Sequence, residues 1–254
     1  IIYVDHYGLS TKPYKDRFIL EISKLFVNHY IVLNSDNYNY LNTRLRINKK
    51  KISIINNGIN LNFYKTNKSK SNKKILKVGM AARLNSSRHH LLIIEAINSS
   101  ILEGVNIQCS FAGDGELKNE LKRVTKKKKL NKKFIFNNML NQNQLKKWYS
   151  DLDLYIQATK GEGMSISLIQ AMAMGVPVLA SNVSGIKTFL NPRKFIGLLF
   201  KNNKISLAKK VKYFFLMNQK NKKKISIKQK IYIKKNFSEI GMIKKYNKLY
   251  KMMV

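Results

Sequence analysis

Cysteine is all but absent from this 254-residue chain, where Cys109 stands alone, so no internal disulfide can form, and no cluster of cysteine and histidine offers a structural zinc site. A reducing compartment is the expectation. Acids are scarce too, 13 Asp and Glu against 49 Lys and Arg, and there are only 3 prolines. No run approaches the ~18 uninterrupted apolar residues that a spanning helix needs, and no basic leader with an apolar core opens the chain. This argues against an integral membrane or secreted protein and for a cytoplasmic one, soluble or at most peripheral at the inner face of the membrane. Ile1 stands where an initiating Met would, and Ile1 to Val4 already reads as a buried strand, so the beginning of a longer chain is expected to be missing.

With 44% apolar residues the chain can build one large core or two smaller ones, and disorder is not the default reading. The formal charge of +36 suggests, at first sight, nucleic acid or an anionic surface as partner. Against this, Lys, Asn and Ile dominate every polar stretch, as AT-rich coding would enforce. Tracts such as Lys126 to Lys129 and Lys222 to Lys224 sit between apolar-periodic segments without interleaved aromatics, which favours solvated faces over a specific nucleic-acid site.

Short β-branched runs alternate with longer amphipathic stretches, the pattern of βαβ units around a mainly parallel sheet. Strands are expected at 1–4, 30–33, 52–55, 75–78, 107–111, 134–136, 154–157, 177–180 and 196–199, and helices at 14–28, 87–99, 116–127, 142–149 and 165–174. Residues 65–74, all Lys, Thr, Asn and Ser, read as a linker after an N-terminal portion 1–64. A doubly wound unit over 75–215 and lysine-rich helices over 216–254 complete the division.

The segment Gly161-Glu-Gly-Met-Ser-Ile-Ser-Leu-Ile-Gln170 carries the most chemistry. A glycine-flanked acid precedes a helix capped by Ser165 and stopped at Gly175, and the unpaired N–H groups of such a helix start favour an anion like a diphosphate. The same residues would also serve as an ordinary strand-to-helix connection. Three more segments accompany it: Val78 to Arg88 with Arg83-Leu84, Phe111 to Glu116 with Gly113-Asp114-Gly115, and Asn57-Gly58-Ile59-Asn60. In this order, and with the closing Phe237-Ser238-Glu239, they resemble the glycosyltransferases of family 4 (glycosyl transferases group 1) over nearly the whole chain.

The resemblance implies a GT-B fold of two facing Rossmann-like domains, with the N-terminal, acceptor-side one present here only in part. It implies a retaining, metal-independent transfer of sugar from a nucleotide diphosphate sugar to a glycan or lipid acceptor, with no cofactor. Arg83 and Arg88 would stabilise the departing diphosphate, and Glu162 would orient the donor sugar rather than attack it. Gly163, Met164, Ser165, Ile166 and Gly113 would meet the donor. Gln170 stands where the family usually has a glutamate for the ribose hydroxyls, which weakens donor binding about tenfold by replacing a charge-assisted bond with a neutral one. His6 is a further candidate near the reaction centre. His89 and His90 read equally well as a surface helix start. Asp151-Leu-Asp153 could in principle hold a metal, but it precedes its strand instead of ending one, and Trp148 and Tyr149 read as helix packing. The alternative is a degenerate, non-catalytic module that binds polyanions through its basic surface. Basic helices also permit docking on an anionic membrane.

Overall fold

The computed structural model describes residues 1–6, 14–65, 75–190 and 198–253, and of residues 14–17 the backbone only. Among these, nine strands form two all-parallel sheets. The smaller has the order β1 (Ile2–Asp5), β2 (His29–Val32), β3 (Ile52–Ile54). In the larger the order is β6 (Phe134–Asn137), β5 (Ile107–Ala112), β4 (Leu76–Ala81), β7 (Leu154–Gln157), β8 (Val178–Ser181), β9 (Leu199–Phe200). The expected linker, save Lys65, lies outside the described residues, as does the start of the strand expected at 196–199.

The larger sheet is buried on both faces, which is why its strands read as continuous apolar runs. In β7 all four residues are buried, with Leu154 and Ile156 facing one core and Tyr155 the other. On the first face pack α3 (His90–Leu102) and α8 (Lys204–Leu216), through Ile93, Ile97, Leu207 and Val211. On the second pack α5 (Gln142–Asp151), α6 (Ile166–Ala173) and α9 (Gln219–Asn236), through Tyr149, Leu168, Met172 and Ile233. Side-chain caps mark the helix starts: Asn141 and Gln144 form a capping box on α5, and Asn203 and Asn218 cap α8 and α9. Met174 ends α6, and Gly175 follows at φ +72°, the left-handed stop expected there.

The smaller sheet packs α1 (Tyr14–Ser23) on one face through Leu20 and receives α10 (Glu239–Met253) on the other, where Leu249 meets Ile31 and Ile55. Ile59 anchors this return: its N–H donates to the Phe237 carbonyl at 2.9 Å, and its carbonyl accepts from Glu239 N at 3.0 Å. Gly58 is required beside it, because a Cβ there would fall 2.5 Å from the Ser238 carbonyl oxygen.

Several boundaries differ from expectation. α1 stops at Ser23, not Asn28, because Ser23 Oγ donates back to the Leu20 carbonyl at 2.6 Å and residues 24–26 continue in tight turns. β4 runs through Gly79 to Ala81, since Trp148 and Leu152 lie over Gly79 where a larger residue would not fit. α3 begins at His90, not Ser87, because Arg88 pairs with Thr159 in a short antiparallel bridge. This corrects the surface reading of the two histidines: His90 is wholly buried, its ring edge-on to Phe111 at 5.0 Å. A short α2 (Ser35–Asn39), the wide helical turn Tyr40–Arg44 after it and α7 (Ile186–Leu190) had no periodicity to reveal them.

Candidate functional site

In an open parallel sheet, ligands bind outside the carboxyl ends of the strands where the chain order reverses. Here that point lies between β4 and β7, which pair at Val78–Leu154 and Gly79–Tyr155. A cavity of about 340 Å³ opens there. Ala81, Ala82, Arg83 and Arg88 line it from the β4 side. Gln157, Glu162, Met164 to Ser167 and Gln170 line it from the β7 side. Its size falls in the range of small-molecule sites.

The start of α6 forms one wall. Ser165 is extended at φ −88°, ψ 107°, and its Oγ accepts from Leu168 N at 3.3 Å. The amides of the first turn, which no helical carbonyl can reach, belong to cavity-lining residues, and with the helix dipole they favour an anion.

Arg88 and Glu162 meet in this wall. Arg88 Nη1 donates to Glu162 Oε2 in a short ion pair and to Thr159 Oγ1 at 3.0 Å. Their side chains are 25% and 12% exposed, so solvent screens the pair only in part. The backbone holds it: His89 N donates to the Ala158 carbonyl at 3.1 Å and Lys160 N to the Ser87 carbonyl at 3.1 Å. Behind Glu162, Gln157 Nε2 approaches Oε2 at 3.4 Å, and Tyr155 donates its hydroxyl to Gln157 Oε1 at 2.8 Å, which fixes the way the amide faces. Burial pushes the Tyr155 phenol up, so it stays protonated and can donate. Glu162 is thus charge-paired by Arg88 and held by Gln157, whose amide Tyr155 orients.

Arg83 differs from Arg88 in being exposed, so water screens it more strongly. Gln170 sits between two tyrosines: its Nε2 donates to Tyr64 Oη at 2.7 Å, and its Oε1 lies 3.2 Å from the Tyr149 hydroxyl, whose one proton it shares with the nearer Ser167 carbonyl at 3.0 Å. Burial pushes the Tyr149 phenol well above its ordinary value, which keeps that donor protonated.

The remaining expected residues lie elsewhere. Gly163 is buried behind the wall, its carbonyl accepting from Asn34 Nδ2 at 2.8 Å. Gly113, at φ +141°, lets the turn after β5 approach the Ala82 carbonyl, which a Cβ would meet at 2.2 Å; it supports the cavity's rim without lining it. His6 is exposed at the end of β1 and does not line the cavity. Trp148 and Tyr149 pack as expected, the indole donating to Ser110 Oγ at 2.7 Å. Asp153 accepts from Lys77 N at 3.0 Å at the entry of β7, the opposite end of that strand from the cavity. Among the described residues no group of three or more His, Cys, Asp and Glu is placed to hold a metal ion. Lys126 to Lys129 are exposed at the end of α4 (Lys118–Lys127), away from the cavity. Cys109 is buried in β5, and burial raises its thiol pKa.

Sequence reasoning missed Gln157, Thr159 and Tyr64. A polar residue closing the otherwise apolar run Leu154 to Gln157 was a usable signal for the first, whereas Tyr64 reaches the site only through the tertiary fold.

The model of the family described as Glycosyl transferases group 1 matches residues 63–231. Protein CapJ of Staphylococcus aureus is 29% identical over 195 residues, which cover 74% of this chain and 49% of that protein. The chain spans about half the length of the curated relatives it matches. Among solved structures, a glycosyltransferase from Rickettsia africae superposes with a TM-score of 0.82 at 21% identity, covering 99% of this chain and 70% of that one. Anabaena HepE, solved in complex with UDP and glucose, gives a TM-score of 0.85 at 16% identity over 98% of this chain and 71% of its own.

Proposed function

The chain belongs to the glycosyl transferases group 1 family, has the GT-B fold, and from that premise we propose that its cavity is the donor site of a retaining, metal-independent glycosyltransferase. The donor is a nucleoside diphosphate sugar and the acceptor a glycan or lipid. One observation carries this reading: Arg83, Arg88 and the start of α6 surround a single cavity at the reversal point of the sheet.

As the sugar–phosphate bond breaks, negative charge grows on the leaving diphosphate. Fixed donors aimed at that charge lower the barrier. Arg88, Arg83 and the amides of Ser165 to Ser167 are such donors, and in this reading they supply the neutralisation that a metal would otherwise provide. Glu162, held by Arg88 and Gln157, orients the sugar. HepE was solved with UDP and glucose, and an Escherichia coli relative is named for UDP-Gal and an undecaprenol-linked acceptor, which supports a nucleotide sugar and a membrane-borne acceptor.

Calorimetric titration with UDP- and GDP-sugars tests the reading. A donor site saturates near one equivalent and weakens in Arg83→Ala by about tenfold, the lower end for a charge-assisted bond at an exposed guanidinium. Binding that follows a steep salt dependence and ignores the substitution would instead establish a polyanion-binding module. Peripheral contact with an anionic membrane at its cytoplasmic face is part of the proposal, supported by the exposed Phe18, Ile19, Ile22, Leu25 and Phe26 on and after α1. Failure to float with anionic vesicles at both low and moderate salt would remove it.

A further inference from the structure

Two side chains of the small sheet reach the wall of the cavity from more than a hundred residues away in sequence. Asn34, buried after β2, caps α2: its Oδ1 accepts from Asn37 N at 2.8 Å. That bond fixes which end of the amide faces outward, and the outward Nδ2 donates to the Gly163 carbonyl at 2.8 Å. Two residues on, Asp36 Oδ2 accepts three bonds from the turn after β8 and from α7: Ser184 Oγ at 2.5 Å, Gly185 N at 3.1 Å and Thr188 Oγ1 at 2.8 Å.

The two contacts bear on adjacent peptides. Gly163 follows Glu162 directly, so its tethered carbonyl restricts the peptide planes beside the acid. Gly185 backs the Glu162 carbonyl so closely that a Cβ on it would lie 1.8 Å from that oxygen. The turn pinned by Asp36 therefore forms the support on which Glu162 rests. Nothing else in the Gly161 to Met164 loop provides regular secondary structure, so its shape depends on such tethers.

We propose that Asn34 and Asp36 are positioning residues for the donor site, and that the small sheet thereby sets the shape of the loop that presents Glu162. The proposal rests on the donor-site reading for its consequence in binding, but the tether itself is independent of it. If the two sheets separate, both tethers break together, and the loop that leads from Glu162 into the Ser165 to Ser167 amides, which in this reading meet the diphosphate, loses its shape.

Asn34→Asp isolates the tether, because aspartate caps a helix as well as asparagine does, while its second oxygen would face the Gly163 carbonyl without a proton to share. Asp36→Ala removes the other tether by a different chemistry. UDP binding by calorimetry, thermal unfolding, and amide hydrogen exchange of residues 161–165 are measured on the 254-residue chain. In both variants UDP binding weakens about tenfold and exchange at 161–165 rises. Binding of UDP within twofold of the parent in both variants overturns the proposal. If the parent chain binds no UDP, the donor reading fails separately, and exchange alone decides: a rise supports the tether, and unchanged protection overturns it.

Discussion

The pairing of Arg88 with Glu162 yields a prediction of opposite sign for two neighbouring substitutions. Three formal charges line the cavity, the guanidiniums of Arg83 and Arg88 and the carboxylate of Glu162, two positive against one negative. Glu162→Gln leaves a nearly isosteric side chain, raises the site to two uncompensated positive charges, and frees Arg88 from its short ion pair. A unit charge removed a few ångströms from a bound diphosphate, in surroundings of intermediate dielectric and partly screened, changes its binding by about 1–2 kcal/mol, so UDP should bind roughly five- to thirtyfold tighter. Arg88→Ala removes a charge-assisted donor worth about 1.5–3 kcal/mol and leaves Glu162 unpaired against the anion, so UDP should bind about ten- to a hundredfold more weakly.

The double variant separates charge from scaffold. With both groups gone the net charge returns to that of the parent, so adding Glu162→Gln to Arg88→Ala should restore about tenfold of the lost affinity. Sugar transfer by an acceptor-competent form would nonetheless fall in all three, because Glu162 has lost its role toward the sugar or its support. Calorimetry with UDP at two salt concentrations is the assay. Should Glu162→Gln weaken UDP as much as Arg88→Ala does, the carboxylate is there to hold Arg88 in place, and the account of it as a competing charge is wrong.

Other outcomes follow from single features of the fold. Burial pushes His90 down to about 4, so between pH 6.5 and 4 the unfolded chain binds a proton that the folded chain refuses, and stability falls as pH drops through that window. The loss reaches about 3 kcal/mol, and His90→Leu should flatten most of it in denaturant titrations at pH 7, 6 and 5, leaving the smaller slope of His29 and His89, which burial also lowers. Gly185→Ala should abolish UDP binding and lower the melting temperature by several degrees, whereas Gly104→Ala should cost only about 1 kcal/mol: both glycines have positive φ, but a Cβ at Gly104 meets nothing within 4 Å. Gly58→Ala should loosen the seam to Ser238, read as faster proteolysis around residues 237–239, and equal rates in parent and variant would refute the importance of that contact.

The alternation of strand and helix was legible because a parallel sheet covered on both faces demands apolar runs, and β7 fell on the expected residues 154–157. The start of α6 was legible for a local reason as well, since cap, helix and left-handed stop are written within eleven residues from Ser165 to Gly175. Boundaries failed where partners lie far away in sequence. The strand expected to end at 78 runs on through Gly79 once Trp148 is laid across it, and Ser87 to His89 read as a helix until Arg88 is paired with Thr159. His90 then moves from the surface into the core, taking with it an acid sensitivity that the sequence did not suggest.

The same distinction governs Gln170. From the sequence it is an acid lost to an amide, and the argument from charge stops at a tenfold penalty. In the fold, its two ends have become distinguishable: the amide nitrogen donates to Tyr64, and the oxygen shares the Tyr149 hydroxyl proton with the Ser167 carbonyl. A glutamate there would have no proton to give Tyr64, although that hydroxyl could donate instead. Gln170→Glu is therefore not a simple restoration. It would add a negative charge beside Glu162 and cancel the net positive charge of the cavity, weakening UDP alone by about the 1–2 kcal/mol that Glu162→Gln gains. If instead the ribose contact dominates, Gln170→Glu tightens UDP and leaves inorganic diphosphate unaffected or weakened. Titrating the variant with both ligands distinguishes the two, and tighter binding of inorganic diphosphate would refute the charge argument for this site altogether.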